Sequence, residues 1–509
     1  MKWQTLVKIA VVGTDRTKIP QVVVEELKAL GIEADDPAAL ILQGAATVGM
    51  MTKAGYLPET FEGDLPKGVE KEVAEICGKR AIQYLGGLIK SGKESILVEF
   101  LKALQAHKKI LPTESLPFLL DMATTSKKIW PFLKPIIGKR GIWLLHQNEN
   151  WKTLDRTPQL TDWEDGHSTD RASYLEYIRQ EDSARGLALL VDTWSTENTT
   201  VRKKLLPTLK IGLSISDESF LAKCLNEKSK EICKIAQNLL SLIPNSAFNQ
   251  RMKTRLTQLI QMQGNGEAQQ LNINLPRGID DKMIRDGIRA SVKLYRSGQK
   301  ASQLAQMINR LPLAFWSSLT TVSPEQTLRL MAASEYGEML LPAVADAAAH
   351  HQDQNWMQVI LSFWVAHYEE KKWQHFSPVH LIPLLDEAGY NTITLAAFPD
   401  EKNFPAEHTP VDLLLQSAAH RWNADLSRQF FTQLKKYLTS PYATHWGGWH
   451  IRKILKVAGY QALVDLYPEW RKGWPEHLPV WGGWEREVIG CMETIQLRYR
   501  MIKAIREGN

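Results

Sequence analysis

The sequence predicts an all-α protein, a HEAT-like α-solenoid of stacked antiparallel helix pairs. Three observations predict it. From Asp182 to Met262, apolar residues recur at three- and four-residue spacing, the period of amphipathic helices. Capping and breaking residues cut that stretch into segments that are apolar on one side and too short to be stable alone. No sustained period-two alternation announces a sheet; the best strand candidate, Asn391–Phe398 (NTITLAAF), is isolated. Stacked neighbouring hairpins bury such faces economically. An ordinary helical bundle is the alternative that connections this short also fit.

The central elements read as follows. Leu187, Leu190, Val191 and Trp194 line one helix. Val201, Leu205, Leu209 and Leu213 repeat every four residues in the next, which Gly212 loosens. Asp217 is placed to cap Glu218–Leu225. The clearest helix begins near Ser229, with a stripe of Ile232, Ile235, Ala236, Leu239, Leu240 and Ile243, and Gln237 among the residues off it. Pro244 ends it, because proline donates no N–H and restricts the residue before it. Ser246 then caps a helix whose face is Phe248, Met252, Leu256, Leu259 and Ile260.

On the N-terminal side, Trp3–Val12 reads as a helix ending at Gly13. Asp36-Pro37 pairs an N-cap with a first-turn proline, and that helix ends at Gly55. Pro58–Gly68 is a linker, followed by helices over Glu70–Ile89 and Glu94–Ala106. The polar stretch Asn148–Arg171 reads as a long surface loop, and Gln263–Lys282 as a second linker. Helical periodicity resumes at Met283–Tyr295 and recurs to Glu485–Ile505. The expected organisation is a helical region over 1–150, central repeats over 168–262 and a second helical region over 280–509.

Composition excludes more than it assigns. The 44% hydrophobic and 23% charged content is ordinary for a soluble globular chain. A net charge of +6 permits a nucleic-acid or acidic partner without requiring one. Cys77, Cys224, Cys233 and Cys491 are scattered, with no CxxC pair, against zinc fingers and disulfide frameworks and for reduced thiols. Lys8 breaks the N-terminal apolar run, unlike a signal peptide, and no run is long enough to span a bilayer. A cytoplasmic protein without membrane contact is expected, with no cofactor or metal.

Four motifs were weighed against plainer readings. Gly87–Glu94 (GLIKSGKE) nearly matches a phosphate-binding loop, but Glu94 replaces the Mg²⁺-binding hydroxyl and a helix precedes it, so a helix–turn–helix is expected. His367, His375 and His380 have no metal-ligand spacing, and His350-His351 reads as a plain surface pair. WGGW occurs at Trp446–Trp449 and Trp481–Trp484, each before a helix, and packing is expected over an aromatic ligand platform. Basic clusters at Lys127-Lys128, Lys134–Arg140, Arg202–Lys204 and Lys228–Lys234 read as solvated helix faces. GxSxG and dinucleotide-loop motifs are missing, although convergent residues from distant helices can still catalyse.

Gly138–Trp151 (GKRGIWLLHQNENW), Asp170–Glu197, Arg202–Leu225 and the N-terminal WQTLVKIAVVGTDR resemble an uncharacterised bacterial family defined by domain of unknown function 5691. The matching positions are Arg140, Gly141, Trp143, Asn148, Trp151, Trp194, Arg202, Asp217 and Glu218. The resemblance implies genes beside a MoxR-type AAA ATPase, a VWA-domain protein and a SWIM zinc-finger protein, and so an adaptor role. It implies no activity, cofactor or active site. The expectation is a non-enzymatic scaffold whose contacts include Arg140, Trp143, Asn148, Trp151 and Arg202, since arginine and tryptophan dominate hot spots. The alternative is a nucleic-acid-binding HEAT-like groove, with or without base chemistry.

Overall fold

The protein is all-α with two minor strand pairs, as seen in a computed structural model that describes residues 3–55, 67–264, 269–398, 407–417, 419–443 and 449–508. The chain forms two compact units, residues 1–69 and 70–509. The linker expected at 58–68 lies largely outside the described residues.

The first unit holds helices Trp3–Val12, Gln21–Ala29 and Pro37–Ala54 around Leu6, Ile9, Val23, Leu27, Leu40 and Ile41. Asp36 caps the third helix as its sequence indicates, accepting from the amides of Ala38 and Ala39 at 3.2 Å each. Gly44 faces Leu27 so closely that a Cβ there would meet its Cδ2 at 2.5 Å.

In the second unit, helices pack mainly on their chain neighbours. Ser168–Glu181 lies on Ser183–Trp194 and Thr199–Leu205, and Lys230–Leu242 on Glu218–Cys224 and Ala247–Leu259. The series continues through Gln299–Ile308, Gly337–His351, Gln354–His367 and Glu387–Ala396. The C-terminal helix, Glu485–Glu507, packs on Trp449–Gln461 and also returns onto Lys79–Ser91 and Glu94–Ala106. One core runs from Trp163 to Ile495; a second joins Cys77–Trp151 to Met501, Ala504 and Ile505. Arg498, 1% exposed, secures this return by a bidentate pair with Glu99 at 2.7 and 2.9 Å, and it also donates to the carbonyls of Gly459 and Ala462.

Several expectations need correction. Residues 70–77 are not helical: Glu75–Ile76 pairs in parallel with Lys109–Ile110, and the helix starts at Lys79. Tertiary partners outweigh local propensity here, since Glu72 accepts from the Lys139 amide at 2.6 Å and Glu70 pairs with the Lys139 ammonium. Asn148–Arg171 is not a loop but carries Glu149–Lys152, Leu160–Glu164 and the start of Ser168–Glu181, with Trp151 and Trp163 buried. Part of Gln263–Lys282 is a hairpin, Ile260–Gln263 against Gln270–Ile273, anchored by buried Leu271. Of Asn391–Phe398, Asn391–Ala396 belongs to the helix Glu387–Ala396, because Asp386 caps it and Tyr390 and Ile393 meet the core at helical spacing. Of the helix expected over Met283–Tyr295, only Met283–Arg285 forms, as the end of Asp281–Arg285. Gln237 is buried and donates to the Arg285 carbonyl at 2.9 Å.

Asp217 does not cap the helix after it. It is 1% exposed and pairs bidentately with Arg179 at 2.8 and 3.2 Å. Arg179 also donates to the carbonyls of Ser183, Leu209 and Ile211, so its guanidinium joins three segments. Gly186 admits it, because a Cβ there would lie 2.5 Å from its Cγ.

Candidate functional site

The expected contact residues do not gather into one place. Trp151 is buried and donates to Asp121 at 2.7 Å, while Asn148 accepts from the Asn150 amide as an N-cap. Arg140 is exposed, 3.5 Å from the Thr113 hydroxyl, and Trp143 is half-buried three residues along the same helix, Gly138–Gln147. Arg202 stacks on Trp194 at 5.1 Å and pairs with Glu227 at 3.1 Å, which also accepts from the Trp194 indole.

That last cluster repeats. Arg171 stacks on Trp163 at 4.6 Å and pairs with Glu197 at 2.5 Å. Both tryptophans and both arginines are 31 residues apart, so one tryptophan–arginine–glutamate clamp is built twice on successive helix pairs. The sequence carries the signal as tryptophan and arginine eight residues apart, twice, a repeat of side-chain chemistry that hydrophobic periodicity does not display. The basic clusters are partly spent on such pairs: Lys203 on Glu231, Lys204 on the Thr169 hydroxyl, Lys134 on Asp155 and Lys139 on Glu70.

Gly92 terminates one helix at φ +64° and Lys93 precedes the next, so the phosphate-loop lookalike is a helix–turn–helix. The second WGGW packs inward, with Trp481 7% and Trp484 1% exposed. The first lies outside the described residues except Trp449, which is exposed. Among the described residues no group of three or more metal-ligating side chains forms, and no helix is long and apolar enough to cross a membrane.

His350 and His351 are not a plain surface pair. His350 Nε2 lies 2.6 Å from the Ser241 hydroxyl, and His351 Nε2 is 3.2 Å from the Arg310 carbonyl. Burial, then His351, Arg310 and Lys210, pushes the His350 imidazole down to about 4. Nearby, Asp286 is fully buried; burial alone would raise its carboxyl, but hydrogen bonds from Arg251 and Arg255 hold it below the usual range.

A pocket of about 390 Å³ opens between Gly337–His351, the segment 372–380 and Tyr295-Arg296. Its floor is apolar, with Trp373, Phe376 and Pro378 buried. Tyr295 donates to Asp346 and meets the Asn309 amide at 2.8 Å. Burial, then the Asp346 contact, pushes the Tyr295 phenol well above its usual range, so it remains a donor. His380 Nε2 lies 3.3 Å from the other Asp346 oxygen. Ser377 shares the wall and has no hydrogen bond to His380 among the described residues. Tyr295 and Arg296 adopt φ +50° and +54°, two successive left-handed non-glycine residues, the kind of backbone strain that gathers at functional sites.

A family model described as a family of unknown function (DUF5691) matches residues 5–505. No curated protein and no solved structure matches the chain.

Proposed function

Because the chain belongs to the family of unknown function DUF5691, a membership that brings no activity with it, we propose that it is a non-enzymatic α-solenoid scaffold or adaptor that binds protein partners. The observation that carries this reading is the series of helices packed on their chain neighbours, cross-braced by the two tryptophan–arginine–glutamate clamps. Such arrays present long, rigid surfaces suited to holding other proteins. The family resemblance points to a MoxR-type AAA ATPase and a VWA-domain protein as the partners, and the scattered cysteines, read as reduced thiols, point to the cytoplasm. Arg140 is the contact residue of choice, being exposed and without an ion pair among the described residues.

Nucleic acid is the second reading, and the pairing of Arg202, Lys203, Lys134 and Lys139 with carboxylates weakens it, since phosphate tracking needs unneutralised cations. A tagged pull-down from the native host, read by mass spectrometry and absorbance ratio, separates the two. Recovery of the ATPase or VWA protein without nucleic acid, reduced by Arg140→Glu, is expected. Nuclease-sensitive nucleic acid with no protein partner overturns the scaffold reading.

A further inference from the structure

The pocket beside Tyr295 carries two unpaired opposite charges at its rim. Arg296 and Glu338 are exposed, and neither makes a side-chain hydrogen bond or ion pair among the described residues. Other ionic groups of the wall are engaged: Asp346 with Tyr295 and His380, and Lys372 with the Ala332 carbonyl, 4.8 Å above the Trp373 ring. His375 adds a titratable group to the rim.

Pro342 lies inside the helix Gly337–His351, so the Glu338 carbonyl lacks the N–H that a continuous helix would supply four residues on. Glu338 and Pro342 both line the pocket. On the same pocket, the left-handed pair Tyr295-Arg296 brings the tyrosine to Asp346 and leaves Arg296 exposed. The floor of Trp373, Phe376, Pro342 and Pro378 is apolar, and the volume of about 390 Å³ falls within the ordinary range for small-molecule sites.

We propose that this pocket binds a free α-amino acid with an apolar side chain. Arg296 takes the carboxylate, the Glu338 carboxylate takes the ammonium, and the aromatic floor takes the side chain. An acid or an amine alone would leave one rim charge unanswered. This site is separate from the protein-binding surface proposed above and stands or falls independently of it.

The test is calorimetric titration of the full chain with the proteinogenic L-amino acids, followed by phenethylamine and 3-phenylpropionate. Apolar and aromatic amino acids are expected to bind, and each single-charge analogue to bind at least about tenfold more weakly than L-phenylalanine. Arg296→Gln should weaken L-phenylalanine by about tenfold while leaving phenethylamine unchanged, and Glu338→Gln should weaken L-phenylalanine by about tenfold while leaving 3-phenylpropionate unchanged. Both positions are exposed, so circular dichroism should match the parent protein. No binding across the set at millimolar concentration, analogues binding as well as L-phenylalanine, or both variants behaving as the parent would each overturn the proposal.

Discussion

Replacing Arg179 should damage the second unit more than replacing Asp217, although the two form one ion pair. The structure sets the order. Asp217→Ala leaves the guanidinium buried but still bonded to the carbonyls of Ser183, Leu209 and Ile211. Stranding one member of a buried pair costs about 3–5 kcal/mol. Arg179→Met strands Asp217 with the Ser214 amide at 2.9 Å and also takes the donor from three carbonyls. Each orphaned carbonyl adds about 1–3 kcal/mol where water cannot reach it. The double variant Arg179→Met/Asp217→Leu removes both charges and should cost several kcal/mol less than the sum of the single costs. A chain of this length does not unfold in one step, so the measurement should be local. Native-state hydrogen exchange across Ser183–Trp194 and Glu218–Cys224 reports the opening free energy of these segments. Single costs below about 1 kcal/mol, or costs that add, would refute the argument.

Three further outcomes follow from the geometry. Glu99→Ala should strand the buried Arg498 guanidinium and cost about 3–5 kcal/mol, read as raised exchange in both Glu94–Ala106 and Glu485–Glu507; protection unchanged in either helix would deny the bridge its role. His350, lowered from 6.5 to about 4, favours its neutral form in the fold, so its contribution is complete above about pH 6.5 and fades as pH falls toward 4. Over that window the loss is about 3 kcal/mol, and His350→Gln should flatten the pH dependence of the local opening free energy of Gly337–His351, read by native-state hydrogen exchange; an identical slope in both proteins would contradict this. Burial pushes the Cys224 and Cys491 thiols up to about 12, so both should resist alkylation at pH 8 until urea opens the chain; prompt labelling of the folded protein would count against the packing.

The sequence displayed helices best where one stripe decides the structure. Ser229, Pro244 and Ser246 bound their helices as expected, because caps and breakers act within a few residues. It failed where a distant partner decides. Nothing near Asp217 announces Arg179, and nothing near residues 70–77 announces that Glu70 and Glu72 will answer Lys139. The pocket was equally hidden: Tyr295, Asp346 and His380 come from three segments, and only the histidines had drawn notice. Two left-handed residues in a row, Tyr295 and Arg296, carry no glycine to betray them. The 31-residue clamp was legible, but only to a search for repeats of side-chain chemistry rather than of hydrophobicity.

The return of the C-terminal helix has a consequence in time. The core of Cys77–Trp151 includes Met501, Ala504 and Ile505, which a ribosome reaches some 350 residues after Trp151. At ~5–20 residues per second, that interval is about 20–70 s. Throughout it, Phe100, Leu101, Leu104 and their neighbours await a wall that does not yet exist. The nascent chain therefore carries an unfinished apolar surface throughout that interval, and removing Met501–Ile505 would leave that surface open.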